Sequence, residues 1–469
     1  MYDQINDTIA AIITAPGIGA MGALRLSGPL AFAAAARVFR SKKGRSLEDL
    51  SGYSLAYGGV YAGGAFLDQA LLLKMKGPHS YTGEDVAELQ CHGGPVVMNR
   101  LVALLTSLPE LPVRPAEPGE FSLRAFLNGK MDLSQAEAVM ELVAADNPET
   151  ALMAADQIGG SLFRQIKGLK DKIVDVLAEI EVEVDFPDEE TGSPDGDGVR
   201  KGKIRRLLED ADEILATAER GRIYREGIRV VLYGSPNAGK SSLLNGMLRE
   251  PRALVTPEPG TTRDVLEERI LLKGVPLLLA DTAGVREAVG PAEQAGVQRA
   301  RQMAAKADLI LYIVDITKGI TSEDEAFLRE LDGGRTLIVF NKTDLVPDFD
   351  DAHCQIRIPA QFDGWPYCCL SALEPSGLEI LAERIRLFFY KGDKYRTNRE
   401  IVLNHRQGES LIRARQALSA AADAMEEGIP DDFAAIDLKQ AWDFLGELTG
   451  ESLQPALVEK IFSAFCLGK

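Results

Sequence analysis

One short glycine-rich segment constrains the fold more than any other feature of the sequence. Residues 234–241 spell Gly-Ser-Pro-Asn-Ala-Gly-Lys-Ser and fit the pattern G-x4-G-K-[ST]. An apolar run, 228–233, directly precedes this segment, and a helical run, 243–248, follows it. Successive backbone N–H groups of such a loop attract phosphate oxygens, as does the N-terminus of the following helix. The segment therefore predicts a strand, a loop and a helix that bind a nucleotide, with Lys240 neutralising the outer phosphates and the Ser241 hydroxyl binding Mg2+.

Two further segments predict which nucleotide is bound. Residues 281–284 spell Asp-Thr-Ala-Gly after the apolar run 275–280, and residues 341–344 spell Asn-Lys-Thr-Asp after the run 336–340. In the first segment, of D-x-x-G type, an aspartate can hold Mg2+ through water and the glycine amide can sense a γ-phosphate. In the second, a carboxylate can accept both the N1–H and the exocyclic amine of guanine, a pair of donors that adenine lacks. The order of the three segments predicts GTP binding.

The segments around these motifs predict a switch, but they do not identify the residue that orients the attacking water. Residues 259–264 spell Pro-Gly-Thr-Thr-Arg-Asp, where a switch would place a threonine hydroxyl on Mg2+ when the γ-phosphate is present. Backbone amides of 370–372, Leu-Ser-Ala, can complete the guanine pocket. Val285 follows D-x-x-G where Ras-type proteins carry the glutamine that orients water. Glu293, at the start of a predicted helix, is a candidate for that role, and an exposed helical carboxylate without it is the alternative.

Chain length and the spacing of apolar residues predict the domain organisation. At about 150 residues per domain, 469 residues correspond to roughly three domains. Apolar residues recur every three or four positions from 158 to 180 and again beyond 411, so two helical segments should pack on each other around an inserted domain. The pattern from Ser134 to Glu137 predicts a capping box that opens the first helical segment. The predicted fold class is multidomain α+β and α/β, with an α+β domain at 1–127, a discontinuous all-α helical domain at 128–226 and 389–469, and an inserted P-loop, Ras-like α/β domain at 227–388.

Charge and cysteine content limit the partners and the compartment. The chain carries 52 Lys and Arg against 70 Asp and Glu, a net charge of −18, so contact with nucleic acid has to be local. It shows no signal-peptide pattern and no uncharged apolar stretch long enough for a transmembrane segment, and its five cysteines are sparse and odd in number, which favours a cytoplasmic protein. A solvated helix face is the alternative to an RNA surface for the densest basic region. That region comprises Arg200, Lys201, Lys203, Arg205 and Arg206, followed by Arg220, Arg222, Arg225 and Arg229.

Four stretches outside the nucleotide motifs carry a resemblance to a known family. They are 22–28 (Gly-Ala-Leu-Arg-Leu-Ser-Gly), 81–89 (Tyr-Thr-Gly-Glu-Asp-Val-Ala-Glu-Leu), 124–130 (Arg-Ala-Phe-Leu-Asn-Gly-Lys) and the tail 465–469 (Phe-Cys-Leu-Gly-Lys). With the Pro-Gly-Thr-Thr-Arg-Asp switch, they make the chain resemble the MnmE (TrmE) family of tRNA-modification GTPases over essentially its whole length. The tail departs from the family at Leu467, where isoleucine is frequent. The nucleotide motifs alone fit a wider superfamily, so a GTP-switched ribosome-assembly factor of the Era type is the alternative.

The resemblance implies a homodimer joined through the N-terminal domains, with a folate bound near that interface as the one-carbon source. The folate would be a tetrahydrofolate derivative, 5-formyl- or 5,10-methylene-tetrahydrofolate, and the implied folate-binding residues are Arg25, Glu88, Lys130 and Lys469. Arg25 and the lysines can pair the folate glutamyl carboxylates, while Glu88 can accept hydrogen bonds from the pterin. Without the motifs, each of these residues would be a surface or structural charge.

For the nucleotide domain, the resemblance implies Mg2+-dependent and K+-stimulated GTP hydrolysis, in which two such domains meet across their switches. The implied K+ ligands are Asn237, Thr256, Glu258 and Thr261, and the implied Mg2+ ligands are Ser241 and Thr262. Lys240 and Glu293 are the catalytic candidates there, Glu293 by orienting the attacking water. The GTP-binding residues are then Asn237, Ala238, Gly239, Lys240, Ser241, Ser242, Thr256, Thr261, Thr262, Asp281, Thr282, Ala283, Gly284, Asn341, Lys342, Asp344, Ser371 and Ala372.

The reaction that the resemblance implies is installation of a carboxymethylaminomethyl (or aminomethyl) group at C5 of the wobble uridine of certain tRNAs. Nothing in the sequence resembles a flavin-binding fingerprint, so the redox chemistry would come from an FAD-dependent partner, MnmG (GidA), in a heterotetramer or larger complex. Cys466 is the third catalytic candidate, as a functional thiol near the substrate. A buried small side chain and a metal ligand are the alternatives for this cysteine.

Overall fold

The described part of the chain forms two compact units. One unit comprises 1–140, 157–211 and 409–469, and the other comprises 141–156 and 212–408. The predicted domain ranges, 1–127, 128–226, 227–388 and 389–469, stay a prediction beside this division. The computed structural model describes residues 6–47, 49–145, 147–185, 196–249, 268–279, 307–346, 358–390 and 401–469.

The first unit contains a seven-stranded sheet in the order β3-β4-β5-β6-β2-β1-β7. Helices α1 and α2 pack on it around a core that includes Leu24, Leu72 and Leu89, all fully buried. The predicted α+β domain is confirmed, and the antiparallel register places Arg25 of β2 directly opposite Glu88 of β6. The elements are β1 (Thr8–Ile12), β2 (Gly19–Ser27), α1 (Ala31–Val38), β3 (Phe39–Ser41), β4 (Tyr53–Ala62), β5 (Ala65–Met75), β6 (Val86–Gly93), α2 (Pro95–Thr106), β7 (Val113–Pro115) and α3 (Glu120–Leu127).

Four helices follow, and the first begins differently from the prediction. Asp132 and Gln135 cap it reciprocally, because the Gln135 N–H donates to Asp132 Oδ1 at 3.1 Å and the Asp132 N–H donates to Gln135 Oε1 at 3.0 Å. The predicted Ser134 cap is wrong, since Ser134 instead donates its hydroxyl to the same aspartate. An ionised carboxylate is the stronger acceptor at a helix N-terminus. The helices are α4 (Leu133–Ala144), α5 (Pro148–Ile158), α6 (Ser161–Asp185) and α7 (Gly196–Glu226).

The second unit contains a six-stranded sheet in the order β13-β12-β11-β8-β10-β9. Its strands are parallel except for the β9–β10 hairpin. Strand β8 lies between β11 and β10, where the connections diverge to either side, and open α/β sheets bind ligands at such a point. The elements are β8 (Ile228–Tyr233), α8 (Lys240–Arg249), β9 (Glu268–Leu272), β10 (Val275–Leu279), β11 (Leu309–Asp315), α9 (Ser322–Leu328), β12 (Thr336–Asn341), β13 (Tyr367–Cys369) and α10 (Pro375–Tyr390).

Three C-terminal helices, which from residue 409 onward belong to the first unit, confirm the expected partner of α6. They are α11 (His405–Glu426), α12 (Asp431–Thr449) and α13 (Pro455–Ser463). The α6 face that includes Ile166 and Ile173 is fully buried, and α12 packs against this helix. The ammonium of Lys170 lies 3.9 Å from the centroid of the Trp442 ring and pairs with Glu451 at 2.5 Å.

Two further findings concern the membrane and the cysteines. Within the described ranges, no helix combines the length and the apolar character that crossing a bilayer requires. Cys91, Cys368 and Cys466 are free thiols. Cys369 is disulfide-bonded, which its place in an adjacent cysteine pair did not predict.

Candidate functional site

The phosphate-binding loop connects β8 to α8, as predicted. Two of its glycines have backbone conformations that other residues rarely adopt, with φ of +140° at Gly234 and +101° at Gly239. They also have no space for a side chain, because a Cβ would lie 2.1 Å from the Ile313 carbonyl oxygen at Gly234 and 2.0 Å from Asn341 Nδ2 at Gly239. Asn237 is exposed in the loop with φ of +63°. The glycines of the motif are thus required by backbone shape and by close neighbours.

Lys240 rests on the loop itself. Its ammonium donates to the carbonyl oxygens of Gly234, at 2.6 Å, and Ser235, at 2.9 Å. Burial lowers the pKa of Lys240, against an opposing electrostatic contribution from Asp324. Ser241 and Ser242 lie on the first turn of α8, and both are exposed. The lysine can therefore exchange two neutral carbonyl partners for phosphate oxygens without leaving the loop.

Asn341 joins the phosphate-binding loop to the segment that is predicted to complete the guanine pocket. Its Nδ2 donates to the Ala238 carbonyl oxygen at 2.9 Å, and its Oδ1 accepts from the Ala372 N–H at 2.9 Å. Asn341, Ala238 and Ser371 are each almost fully buried. One side chain therefore connects three segments that the sequence predicted to meet around GTP.

The remaining predicted guanine-side residues follow Asn341 directly. Lys342 has φ of +69° and pairs with Asp315 at the end of β11 at 2.6 Å. Asp344 is exposed, so its carboxylate is available to a ligand. The pKa of Asp315 is lowered because hydrogen bonds from Lys342 and Thr317 outweigh the opposing effect of burial. The structure thus leaves the Asp344 carboxylate exposed, as its predicted role in guanine binding requires, and fixes Lys342 against Asp315.

Several predicted site residues lie outside the described residues. They are the switch and K+ candidates Thr256, Glu258, Thr261 and Thr262, the D-x-x-G residues Asp281, Thr282, Ala283 and Gly284, and the catalytic candidate Glu293.

Arg25 and Glu88, two of the predicted folate residues, are bonded to each other. Arg25 donates Nε–H to Glu88 Oε1 at 2.8 Å, and both side chains are mostly buried. The Arg25 guanidinium also lies over two aromatic rings, 4.9 Å from the centroid of Tyr81 and 5.4 Å from that of Phe121. The two charges therefore form one unit between β2 and β6 rather than two separate contacts.

The C-terminal tail lies against the same aromatic residue. The Phe121 N–H donates to the main-chain oxygen of Lys469 at 3.1 Å, and the Gly119 N–H donates to that of Cys466 at 3.4 Å. Cys466 is exposed and free, so its interpretation as a buried small side chain is wrong. Phe121 thus contacts the tail through its backbone and Arg25 through its ring.

Lys130 contacts the loop that carries Tyr81. Its ammonium donates to the Pro78 carbonyl oxygen at 3.0 Å. The same loop is held by a 2.9 Å hydrogen bond between Tyr81 and Ser122 and by Asn128 Nδ2, which donates to the Thr82 carbonyl oxygen at 2.7 Å. All four predicted folate residues are therefore connected through the Tyr81 loop and the start of α3.

Sequence reasoning missed a buried ion-pair network beside this site. Arg124, whose side chain is 1% exposed, bonds to Asp7 at 2.5 Å, Glu120 at 2.9 Å and Glu84 at 3.2 Å. Arg114 reaches Asp7 and Glu120 from the other side. The pKa of Glu120 is lowered, because hydrogen bonds from Arg114, Glu117 and Arg124 outweigh the desolvation that would raise it. Arg124 stands in a stretch already noted for its motif, yet a single sequence does not show that its guanidinium is buried.

The basic region contains several paired side chains. Arg205 bonds to Glu426 at 2.8 Å, Arg200 lies 2.7 Å from Asp431, and Lys203 pairs with Glu179. Further along α7, Arg222 bonds to Asp308 at 2.8 Å. Pairing reduces the net positive charge that RNA phosphates would meet. It favours the alternative of a solvated helix face for Lys203 and Arg205, whereas Arg200 is buried and belongs to neither description.

Comparison with known proteins shows that the chain is similar to one protein family over nearly its whole length. Residues 133–466 match the family described as MnmE helical domain, and residues 8–130 match GTP-binding protein TrmE N-terminus. The tRNA modification GTPase MnmE of Clostridioides difficile (strain 630) is 40% identical over 465 residues, covering 99% of this chain and 100% of that protein. MnmE of Symbiobacterium thermophilum is 42% identical over 467 residues, covering 99% of this chain and 100% of that protein.

A more distant solved structure matches part of the chain. A crystal structure of Aquifex aeolicus Era bound to GDP.AlF4- is 23% identical and covers 40% of this chain and 66% of that one, with a TM-score of 0.28. This similarity is too low to bear on function.

Proposed function

The chain belongs to the MnmE family of tRNA modification GTPases, and we propose that it installs a carboxymethylaminomethyl (or aminomethyl) group at C5 of the wobble uridine of certain tRNAs. The redox chemistry would come from an FAD-dependent partner, MnmG (GidA), in a heterotetramer or larger complex. The observation that carries the proposal is the bridge from the phosphate-binding loop through Asn341 to the guanine loop, in a chain that matches its MnmE relatives end to end. We propose that the protein acts in the cytoplasm, where its tRNA substrate would be available.

The nucleotide site supports GTP as the substrate of hydrolysis. Lys240 would move from loop carbonyl oxygens to the outer phosphates, and Asp344 would accept from guanine N1–H and the exocyclic amine. The Ser241 hydroxyl, at the start of α8, fits a Mg2+ ligand, because Mg2+ prefers oxygen donors beside phosphates. Mg2+ would supply positive charge at the β- and γ-phosphates, with Thr262 as its second proposed protein ligand.

We propose that K+ stimulates hydrolysis through Asn237. Its side chain is exposed on the loop and carries an amide oxygen, a donor type suited to a hard monovalent cation. Thr256, Glu258 and Thr261 would supply the other ligands, and Glu293 would orient the attacking water. Two nucleotide domains would meet across their switches to assemble this arrangement.

The paired Arg25 and Glu88 support a folate site in the first unit. Glu88 Oε2 would accept from the pterin, and the two Nη groups of Arg25 would meet an acceptor of the folate, because Nε is used by Glu88. Lys130 and Lys469 would pair the glutamyl carboxylates. A tetrahydrofolate derivative, 5-formyl- or 5,10-methylene-tetrahydrofolate, would supply a one-carbon unit there, near a homodimer interface between the N-terminal domains. Cys466 is exposed on the adjoining tail and stays a candidate thiol.

The nucleotide assignment is tested by inverting base specificity. Xanthine carries a 2-oxo group where guanine carries the 2-amino group, so Asp344→Asn should exchange one preference for the other. The wild type should hydrolyse GTP and reject ATP, whereas the variant should lose at least about a hundredfold in kcat/KM for GTP and gain activity with XTP. Equal use of ATP and GTP by the wild type would refute the assignment.

The Era-type assembly factor, left open by the sequence, is not proposed. The relatives matched over their whole length are tRNA modification GTPases.

A further inference from the structure

An aspartate outside the nucleotide motifs contacts the start of the phosphate-binding loop. Asp324 Oδ1 accepts from Ser235 Oγ, in the second position of the loop, at 2.5 Å and from the Tyr312 hydroxyl at 2.8 Å. The aspartate is 3% exposed. One carboxylate oxygen thus joins the loop, strand β11 and helix α9, in a place that no motif of the sequence predicted.

The second oxygen of the same carboxylate is fixed within α9. Asp324 Oδ2 accepts from the Thr321 backbone N–H at 3.0 Å and from the Thr321 hydroxyl at 2.7 Å. The Asp324 N–H donates in return to Thr321 Oγ1 at 3.3 Å, which completes a capping box. Helix α9 is held against the sheet by Phe327, which stacks on Tyr233 with a centroid separation of 3.8 Å. The carboxylate is therefore oriented before the loop contacts it.

The ionisation state of Asp324 determines which group donates in its hydrogen bond with Ser235. The pKa of Asp324 lies below its ordinary value, because hydrogen bonds from Ser235, Thr321 and Tyr312 outweigh the burial that opposes ionisation. An ionised carboxylate only accepts hydrogen bonds, so the Ser235 hydroxyl has to donate to Asp324. The carbonyl oxygen of Ser235 accepts from Lys240 at 2.9 Å. Ser235 is thus held by Asp324 on its side chain while it supports Lys240 on its backbone.

We propose that Asp324 is a positioning residue for nucleotide binding, which holds the phosphate-binding loop through Ser235 in the shape that receives the phosphates. The proposal rests on the proposed GTP binding and adds a residue from outside its motifs. A helix cap alone would use only Oδ2 and Thr321, so the contact of Oδ1 with Ser235 has no role in capping. Hydrogen bonds to charged groups are also among the strongest single contacts in a protein.

The test compares release of the fluorescent analogue mant-GDP from the full-length protein and its variants. Ser235→Ala removes the hydroxyl that donates to Asp324, and Asp324→Ala removes the carboxylate that accepts. The double variant completes a double-mutant cycle for this hydrogen bond. Thr321→Val is the matched control, because it removes a hydroxyl hydrogen bond to the other oxygen of the same carboxylate. Thermal unfolding of each variant separates loss of stability from loss of nucleotide.

We expect Ser235→Ala and Asp324→Ala each to speed release of mant-GDP about five- to tenfold, with no further increase in the double variant. Thr321→Val should lower the unfolding midpoint yet change release by less than about twofold.

Release from Ser235→Ala at the wild-type rate would overturn the proposal, even if Asp324→Ala does not fold. Equal acceleration by Thr321→Val would also overturn it, because the effect would then come from helix stability. Absence of saturable mant-GDP binding by the wild type would instead refute the proposed GTP binding itself.

Discussion

The amide of Asn341 donates to the carbonyl oxygen of Ala238 at 2.9 Å, across 103 positions of the sequence. The same side chain accepts from the Ala372 N–H at 2.9 Å, so it fixes the phosphate-binding loop against the loop that we propose completes the guanine pocket. Because the bridge is made by protein groups alone, the separation of phosphate and base contacts is set before a ligand binds. The ordering cost of binding GTP is reduced accordingly.

Replacement of Asn341 should weaken nucleotide binding and lower the stability of the second unit. Asn341→Ala leaves the Ala238 oxygen and the Ala372 N–H without that partner, which costs roughly 1–3 kcal/mol for each buried group. We expect the Kd for GDP, measured by calorimetry, to rise at least about tenfold. Asn404→Ala is the control, because it removes a helix cap from Gln407 and should leave the Kd unchanged. Wild-type affinity in Asn341→Ala would contradict the bridge.

The phosphate-binding loop and the segment that begins at Asn341 could be predicted to meet, because each is a local sequence pattern, whereas the D-x-x-G segment lies outside the described residues and stays a prediction. Strand β8 and helix α8 follow from the apolar run and the loop that separates them. The bridge from Asn341 to Ala238 joins distant segments and depends on the order of strands in the sheet. Asp324 stands at the third helical position after Thr321, where sequence reasoning would assign it only to a cap.

In the first unit, too, contacts between segments far apart in sequence could not be predicted. Arg25 and Glu88 were expected to meet different ends of a folate, but the register of β2 and β6 places them opposite each other and they pair. Burial of Arg124 could not be predicted either, since its partner Asp7 lies 117 positions away. At α4, the pattern from Ser134 to Glu137 indicated that a helix begins there but not that Asp132 rather than Ser134 caps it.

The proposed K+ site predicts an ion dependence of turnover. GTP hydrolysis should be faster in K+ than in Na+ at equal ionic strength, and Asn237→Ala should lose most of that difference while retaining the rate in Na+. Pro236→Ala is the control, because this neighbouring residue lies on the same loop but offers no side-chain oxygen. Steady-state rates in matched chloride salts provide the measurement. Equal turnover of the wild type in both salts would contradict K+ stimulation.

The proposed folate site predicts the effect of removing one charge. Glu88→Gln keeps the size of the side chain but loses the carboxylate that pairs with Arg25, so the Kd for 5-formyltetrahydrofolate should rise about tenfold or more. Calorimetry with the full chain measures it. Glu110→Gln is the control, since Glu110 is exposed and pairs with exposed Arg37. Absence of saturable binding by the wild type would refute the proposed folate site.

The Arg124 network predicts how the first unit responds to acid. The pKa values of Asp7 and Glu120 are lowered, since hydrogen bonds and charges of Arg114 and Arg124 outweigh burial, which acts in the opposite direction. A carboxyl group with a lowered folded-state pKa adds stability above its unfolded value, 3.8 for Asp7 and 4.5 for Glu120, and that stability is lost as the pH falls through the folded value. Protection of β1 and α3 in hydrogen exchange should therefore decline below about pH 4.5.

A substitution isolates the contribution of the buried guanidinium. Arg124→Met leaves carboxylates in a buried site without their central partner and should lower the opening free energy of this region by about 3–5 kcal/mol at pH 7. Arg37→Met breaks an exposed pair and should cost at most about 1 kcal/mol. Hydrogen exchange followed by mass spectrometry compares the two variants. Similar small losses in both would show that the network does not stabilise the unit.

The central claim is that this GTPase modifies wobble uridines, and mass spectrometry of tRNA nucleosides tests it most directly. A strain that lacks the gene is compared with strains that express the wild type or Lys240→Ala, a substitution that removes the phosphate-loop ammonium. We predict that deletion abolishes the 5-carboxymethylaminomethyl- and 5-aminomethyl-type uridines, that the wild type restores them and that Lys240→Ala does not. Unchanged wobble nucleosides in the deletion strain would contradict the account.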